Sequence, residues 1–456
     1  MTKKFLSLAL ALLLVLSCLT GCNKGNPDEE GPNDGEKVAK DTITLVTDEE
    51  PETLDPQIGN KPKNIIAQTL ILDSLITQNY ETSEFLPRLA TSWEVMDDTH
   101  IKFHLREGVK FSNGNDFTAE DVLYSLGRCR DIPTAASTME FYDPDTSYAE
   151  DDHTVVLSFY YPYAPALSVL CGGRTFIGDK ETMEEMGVDA YARAPIGTGP
   201  YVLESWVTGS SMTLKRNENY WGEPAKTEKV VFNYIAEPTG RVIALETGEA
   251  DFAYYINGSD VNRVNELEGY HVEEGPSCKY YTITLNMKNG IFADDRLREA
   301  MSLAIDLEAL AHAGFDGTAK AMQSCLPSTV EGSVDIYGEH GGWQYDPEKA
   351  KELVKEAGAE GLEFELHIQP TSEFLKLAQI VKGYWDAIGL NCHIEQSEVS
   401  AREAQGPWEA AIRNGNASEV TGILIIYEST FGSRVGNTDE KLDEMLIKLQ
   451  QTYDTE

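Results

Sequence analysis

The side chains of this 456-residue chain that could carry catalytic or metal chemistry are 76 acids, eight histidines and seven cysteines, and their spacing singles out no reaction centre. With so many carboxylates, a pair at the separation glycoside hydrolysis needs is always available and identifies nothing. No Gly-x-Ser-x-Gly run supplies a nucleophile elbow. His100 and His104 fall on one face of a strand but stand about 13 Å apart at ordinary strand rise, too far to share an ion. Cys129, Cys171, Cys278, Cys325 and Cys392 contain no Cys-x-x-Cys pair, which reads as buried thiols, with one disulfide as the alternative. The spacing therefore marks out no enzyme, and no cofactor or metal site is expected.

One further cysteine sits in a different setting. Lys3 and Lys4 precede an almost wholly apolar run from Phe5 to Leu19, too short to span a bilayer comfortably but suited to the core of a signal peptide. It ends in Leu19-Thr20-Gly21-Cys22, which resembles the lipobox of bacterial lipoproteins. That resemblance implies a signal peptide over residues 1–22, diacylglycerol on Cys22, and anchoring on the outer face of the cytoplasmic membrane. Residues 23–40, rich in Gly, Pro, Asp, Glu and Asn, cannot bury enough surface to fold and read as a flexible tether. No later stretch has the length and apolarity of a membrane helix.

The net charge of −39 repels nucleic acid and anionic head groups, which excludes both as partners and favours a soluble monomer. The remaining length predicts two or three packed lobes.

Stepping along the chain, Ile101, Phe103, Leu105, Val109 and Phe111 alternate around Arg106-Glu107-Gly108 and predict a two-stranded hairpin. Thr118 and Asp121 form a helix start, with Phe117 and Val122 closing over it. Tyr201–Trp206 and Met212–Arg216 predict a second hairpin turning at Thr208-Gly209-Ser210. Leu297, Ala300, Met301, Ala304 and Ile305 predict one amphipathic helix between Asp294 and Ala311. Another helix starts at the Asp346 cap, takes Pro347 in its first turn and stops at Gly358. Phe364–Ile368, Glu373–Ile388 and Leu390–Ile394 read as strand, crossover helix and parallel strand.

Several of these segments together resemble the extracellular solute-binding proteins of family 5, the peptide- and nickel-binding components of ABC importers. The longest run is Leu89-Ala90-Thr91-Ser92-Trp93-Glu94, then Phe103 to Phe111, then Phe117 to Val122. Gly197-Thr198-Gly199-Pro200-Tyr201, Arg216-Asn217 with Tyr220-Trp221, Leu245–Asp251, Arg298–Asp306 and Tyr345–Ala350 follow in the family's order. Most are architectural: Gly197 and Gly199 permit a tight backbone path, and Trp93 reads as core.

The resemblance implies an α/β fold of the type II periplasmic-binding-protein kind, with two hinged lobes, mixed sheets and an extra domain. Residues 41–80 and 190–285 form the first lobe, 81–189 the inserted domain and 286–456 the second lobe. It implies peptide or similar small-solute capture by hinge closure, with delivery to a permease whose ATPase is a separate subunit, since the chain has no phosphate-binding Gly-x-x-x-x-Gly-Lys-Ser/Thr loop. A nickel receptor of the same fold and an orphan sensory lipoprotein are the alternatives. Ile58, Gly59 and Asn60 should line the cleft from the first lobe, and Glu398, Val399, Tyr427 and Glu428 from the other. The family's Gly-Trp followed by an acid is replaced here by Gly422-Ile423-Leu424-Ile425-Ile426-Tyr427-Glu428, so Glu428 stands in for the acid only in a shifted register, and the run reads equally as a buried strand. Relatives also continue past the last helix. An exposed apolar patch is expected if those elements are missing.

Overall fold

The computed structural model describes residues 40–59, 61–79, 82, 84–275, 277–288, 290–322, 324, 326–330, 333, 344–397, 408–416, 436 and 439–451. Cys22, Asn60, Cys325, Glu398, Val399, Tyr427 and Glu428 therefore lie outside the described residues.

Strand β1 (Thr42–Thr47) runs through a buried loop into helix α1 (Pro62–Ile71). The chain then builds a middle body. In it β2 (Ile76–Gln78) pairs with β3 (Phe85–Pro87), and β4 (Ala90–Asp97), β5 (His100–Leu105), β6 (Tyr142–Asp151) and β7 (Thr154–Phe159) form an antiparallel sheet of order β4-β5-β7-β6. Helix α2 (Ala119–Asp131) adds Val122 and Leu126 to a core that includes Phe103, Phe111, Phe117 and Phe141. Trp93 packs partly buried against the same core, as expected.

The hairpin expected over 101–111 forms differently. Ile101, Phe103 and Leu105 do alternate inward on β5, but the neighbours of β5 are β4 and β7. Gly108, at φ +72°, turns the chain aside, and Val109 and Phe111 bond to Phe117 and Asn115 in a tight loop (3.0 and 2.9 Å). Their side chains reach the core all the same, because the apolar pattern specifies burial and not the pairing partner. The helix start is as expected. Asp121 Oδ2 accepts from the Thr118 N–H at 2.9 Å and from its hydroxyl at 3.0 Å, beneath buried Phe117 and Val122.

The chain returns through β8 (Tyr201–Val207), β9 (Ser211–Arg216), β10 (Lys229–Tyr234), helix α3 (Pro238–Glu246) and the two-residue β11 (Phe252–Ala253). With β1 they make a sheet of order β11-β1-β10-β9-β8, in which β1 is parallel to both β10 and β11. The β8–β9 hairpin turns at Gly209, φ +72°, where the sequence places it.

Two of the family-like motifs converge on one carboxylate, and a third packs over them. Buried Asp73 accepts from Thr198 Oγ1 (3.1 Å), Trp221 Nε1 (3.0 Å) and the Arg88 guanidinium, while Arg106 lies over the Trp221 ring at 4.3 Å. Asn217 Nδ2 donates to Gly199 O at 2.7 Å. Gly197 and Gly199 are needed for close approach: a Cβ at Gly199 would stand 2.6 Å from the carbonyl carbon of Ile71, and one at Gly197 2.2 Å from its oxygen. Gly199→Ala is therefore expected to cost about 1–3 kcal/mol, the usual range for overpacking against structure that cannot give way. Urea unfolding measures it, and an unchanged midpoint would show that the end of α1 yields.

The C-terminal body begins with β12 (Lys279–Leu285), ahead of residue 286. Helices α4 (Asp295–Leu303), α5 (Leu307–Gly314) and α6 (Pro347–Glu356), β13 (Glu363–Ile368), α7 (Ser372–Ala387), β14 (Asn391–Gln396) and β15 (Ala410–Asn416) follow, with sheet order β12-β15-β13-β14. β13 and β14 are parallel across α7, the expected βαβ unit. Asp346 caps α6 by accepting from Lys349 N at 2.9 Å, and Gly358 follows it at φ +66°. The single helix expected between Asp294 and Ala311 is two. Asp306 accepts from Ala309 N at 3.0 Å and starts α5 afresh, a local cap that the apolar periodicity does not register.

Helix α8 (Glu440–Gln451) buries Leu446 and leaves Met445 and Ile447 exposed. Cys129, Cys171, Cys278 and Cys392 are free thiols. Burial pushes Cys129, Cys171 and Cys392 up to about 12, so they stay protonated and unreactive at neutral pH. No helix among the described residues is long and apolar enough to cross a membrane.

Candidate functional site

The N-terminal sheet has a topological switch point. After β1 the chain crosses to α1 on one face, where Ala67 and Ile71 meet Leu54, Met212, Leu214 and Phe232. After the adjacent β10 it crosses to α3 on the opposite face, where Val242, Ala244 and Leu245 meet Val46. Helices that leave neighbouring parallel strands on opposite faces open a crevice beyond the strands' carboxyl ends, the position where open α/β sheets hold ligands.

The rim of that crevice is aromatic and acidic. Buried Arg241 of α3 donates from Nη1 to Ile235 O (2.6 Å) and Ala236 O (2.8 Å), just past β10, and from Nη2 to Tyr255 O, just past β11. It fixes both strand exits at once. Tyr255 is held at φ +56°, a left-handed conformation that a bulky residue seldom adopts without support. Phe252 and Tyr255 are 46% and 51% exposed, and with Tyr254 they form a continuous aromatic run at centroid spacings of 4.9 and 5.7 Å. Burial of its hydroxyl end, reinforced by the Asp48 carboxylate, pushes the Tyr255 phenol up, so it stays neutral.

Of the acids that follow β1, Asp48 is the one that no described lysine or arginine hydrogen-bonds, although Arg241 lies within its electrostatic reach. Lys63 pairs with Glu49 at 2.6 Å, and Glu52 is held by Lys61 and Lys63. Glu50 accepts from Trp206 Nε1 and Gly209 N, both at 2.7 Å. Asp48 accepts from the Thr47 hydroxyl at 3.1 Å and from no other described residue. A carboxylate with acceptor capacity to spare, near exposed aromatic rings, can take a cationic or N–H-rich group and stack a flat or apolar one. It provides no nucleophile and base in contact.

Ile58 and Gly59 lie on the loop from β1 to α1, half-buried. The preceding Thr53–Gln57 stretch is buried and cross-bonded: Gln57 N donates to Asp55 Oδ1 (3.0 Å), and Gly59 N to Asp55 O (3.1 Å). Gln68 Nε2 of α1 donates to Gly59 O at 2.9 Å, and a Cβ on Gly59 would meet Asn64 and Thr53 within 2.7 Å. In the C-terminal body, Tyr281 of β12 donates to Glu373 Oε1 at 2.5 Å, with Lys279 over its ring. Asp48, Arg241, Tyr254 and Tyr255 are absent from the sequence-based candidates. The one pointer was the Leu245–Asp251 motif, which leads directly into β11.

Residues 84–434 match the family described as bacterial extracellular solute-binding proteins, family 5 Middle. The chain is 26% identical over 387 residues to the dipeptide-binding protein of Escherichia coli K12, covering 78% of this chain and 72% of that protein. It is 27% identical over 396 residues to the nickel-binding periplasmic protein of the same organism, covering 81% and 74%. Among solved structures, the ABC transporter-associated periplasmic binding protein DppA from Helicobacter pylori, in complex with the peptide STSA, superposes with a TM-score of 0.75 at 25% identity, covering 91% of this chain and 87% of that one. The relatives are binding proteins and not enzymes, and the described strands and helices have the mixed α/β arrangement of a type II periplasmic binding protein. This chain belongs to the bacterial extracellular solute-binding proteins of family 5.

Proposed function

We propose that the chain captures peptides or similar small solutes in the crevice beyond β1, β10 and β11 and delivers them to an ABC permease, tethered to the membrane by lipid on Cys22. The observation that carries this reading is the Asp48 carboxylate, which no described lysine or arginine hydrogen-bonds and whose charge is felt by Tyr255, with the exposed aromatic rings of Phe252 and Tyr255 at the same rim. Such a pair suits a peptide's terminal ammonium and its first side chain. In this reading residues 41–80 with 190–285 form one lobe and 286–456 the other, and 81–189 are the inserted domain. Ile58, Gly59 and Asn60, with Glu398, Val399, Tyr427 and Glu428 opposite, complete the cleft. A ligand that touches both lobes only when they are closed shifts the population to the closed form, which the permease engages. The dipeptide-binding relative and the peptide-bound structural neighbour support the ligand class. The nickel-binding relative supports nickel as the second reading. Among the described residues no three His, Cys, Asp or Glu side chains lie together as a group that could hold an ion.

Thermal melting against di- to hexapeptides and nickel chloride tests the reading, because a ligand specific to the folded form raises the midpoint. Peptides with a free amino terminus are expected to raise it. Asp48→Asn should weaken their binding about tenfold or more, the worth of a charge-assisted hydrogen bond, and leave N-acetylated peptides unaffected. A shift with nickel and with no peptide would replace the favoured ligand class.

A further inference from the structure

The loop that presents Ile58 and Gly59 is bonded to the middle body as well as to α1 and to Ala192. Arg128, in the last turn of α2, donates from Nη1 to Asp55 Oδ1 (2.8 Å) and Gln57 Oε1 (2.6 Å) and from Nη2 to Asp55 Oδ2. From a separate segment of the same body, Arg174 Nη1 donates to Gln57 O at 2.7 Å, and Gln57 Nε2 returns bonds to Arg174 O and Phe176 O, both at 3.0 Å. Asp55 and Gln57 are fully buried. Asp55 is also the loop's own hub, since its side chain and carbonyl accept the Gln57 and Gly59 amides. Moving the 55–59 turn therefore requires a guanidinium and a carboxylate, both out of water, to separate.

We propose that Arg128 and Arg174 are positioning residues through which the middle body holds the 53–59 loop ready for ligand. This gives the inserted domain a role in affinity without contact to the ligand, and it rests on the reading that Ile58 and Gly59 face the cleft. A preordered loop binds more tightly because its ordering is complete before the ligand arrives. A shift of the middle body is passed to the cleft by the same bonds.

Arg174→Met is the discriminating variant, because it removes the bond to Gln57 O and leaves the Asp55–Arg128 pair intact. Hydrogen exchange of the ligand-free protein is read at the Gln57 and Gly59 amides, and affinity for the tetrapeptide Ser-Thr-Ser-Ala is read by calorimetry. Exchange at those amides is expected to rise about tenfold, with strands β5 and β13 unchanged. Affinity is expected to fall about fivefold. Arg174→Lys, which can still donate to Gln57 O, should restore both. Unchanged exchange in Arg174→Met would overturn the proposal, as would faster exchange with undiminished affinity in a protein whose wild type binds the peptide. A wild type that binds no peptide strikes the ligand class alone, and the exchange measurement still decides whether the middle body holds the loop.

Discussion

Arg128→Ala is expected to destabilise the protein by about 3–5 kcal/mol, the cost of leaving a buried carboxylate without its partner. The Asp55 side chain is fully buried and that of Arg128 is 12% exposed, so water cannot replace the lost donors. Burial alone would weaken the guanidinium's hold on its proton, yet hydrogen bonding and attraction to Asp55 more than offset this and hold Arg128 above its ordinary value. Burial separates the pair from the exposed ion pairs of this chain, such as Lys351–Glu348, worth about 0–1 kcal/mol. Removing both charges is gentler. Arg128→Gln combined with Asp55→Asn keeps an oxygen for the Gln57 amide and should recover much of the loss. Urea unfolding of the two single variants and the double closes the cycle. Additive losses would show that the two side chains act independently.

Asp73→Ala should cost a comparable amount, about 3–5 kcal/mol, for a different reason. Here one carboxylate satisfies Arg88, the Thr198 hydroxyl and the Trp221 indole, and deleting it takes an acceptor from all three, of which Thr198 is fully buried. Asp73→Asn keeps one acceptor oxygen and should fall between wild type and alanine. If both variants unfold within about 1 kcal/mol of wild type, the three donors have found water and the node is not what joins the middle body to the first sheet.

The elements legible from sequence are those whose cause is local. The Thr118–Asp121 start, the Asp346 cap and the turn at Gly209 depend on neighbours within four residues, and each forms where its residues dictate. The Asp306 cap is equally local, but it is hidden beneath an apolar period that runs on through it. The crevice was not legible, because it is made by pairing across the chain. β11 has two residues and shows no alternation; it is a strand only because Leu45 and Val46 lie beside it. Tyr255 acquires its exposure and its φ from that pairing and from Arg241. Likewise, family motifs such as Gly197–Tyr201 and Tyr220-Trp221 identified the scaffold, while their common partner Asp73 belongs to no quoted motif.

The register of β1 has a consequence for how the chain acquires its shape. Thr42 pairs with Lys229 and Leu45 with Phe252, so β1, the first strand among the described residues, has its strand partners about 190 to 210 residues later in the chain. The middle body's core, by contrast, draws its buried residues from one continuous stretch, Leu75 to Ile177. Closing a short loop costs less chain entropy than closing a long one, and contacts near in sequence form sooner. The order of assembly therefore runs from the centre outward: the middle body first, the N-terminal sheet afterwards, with β1 as a late-docking strand.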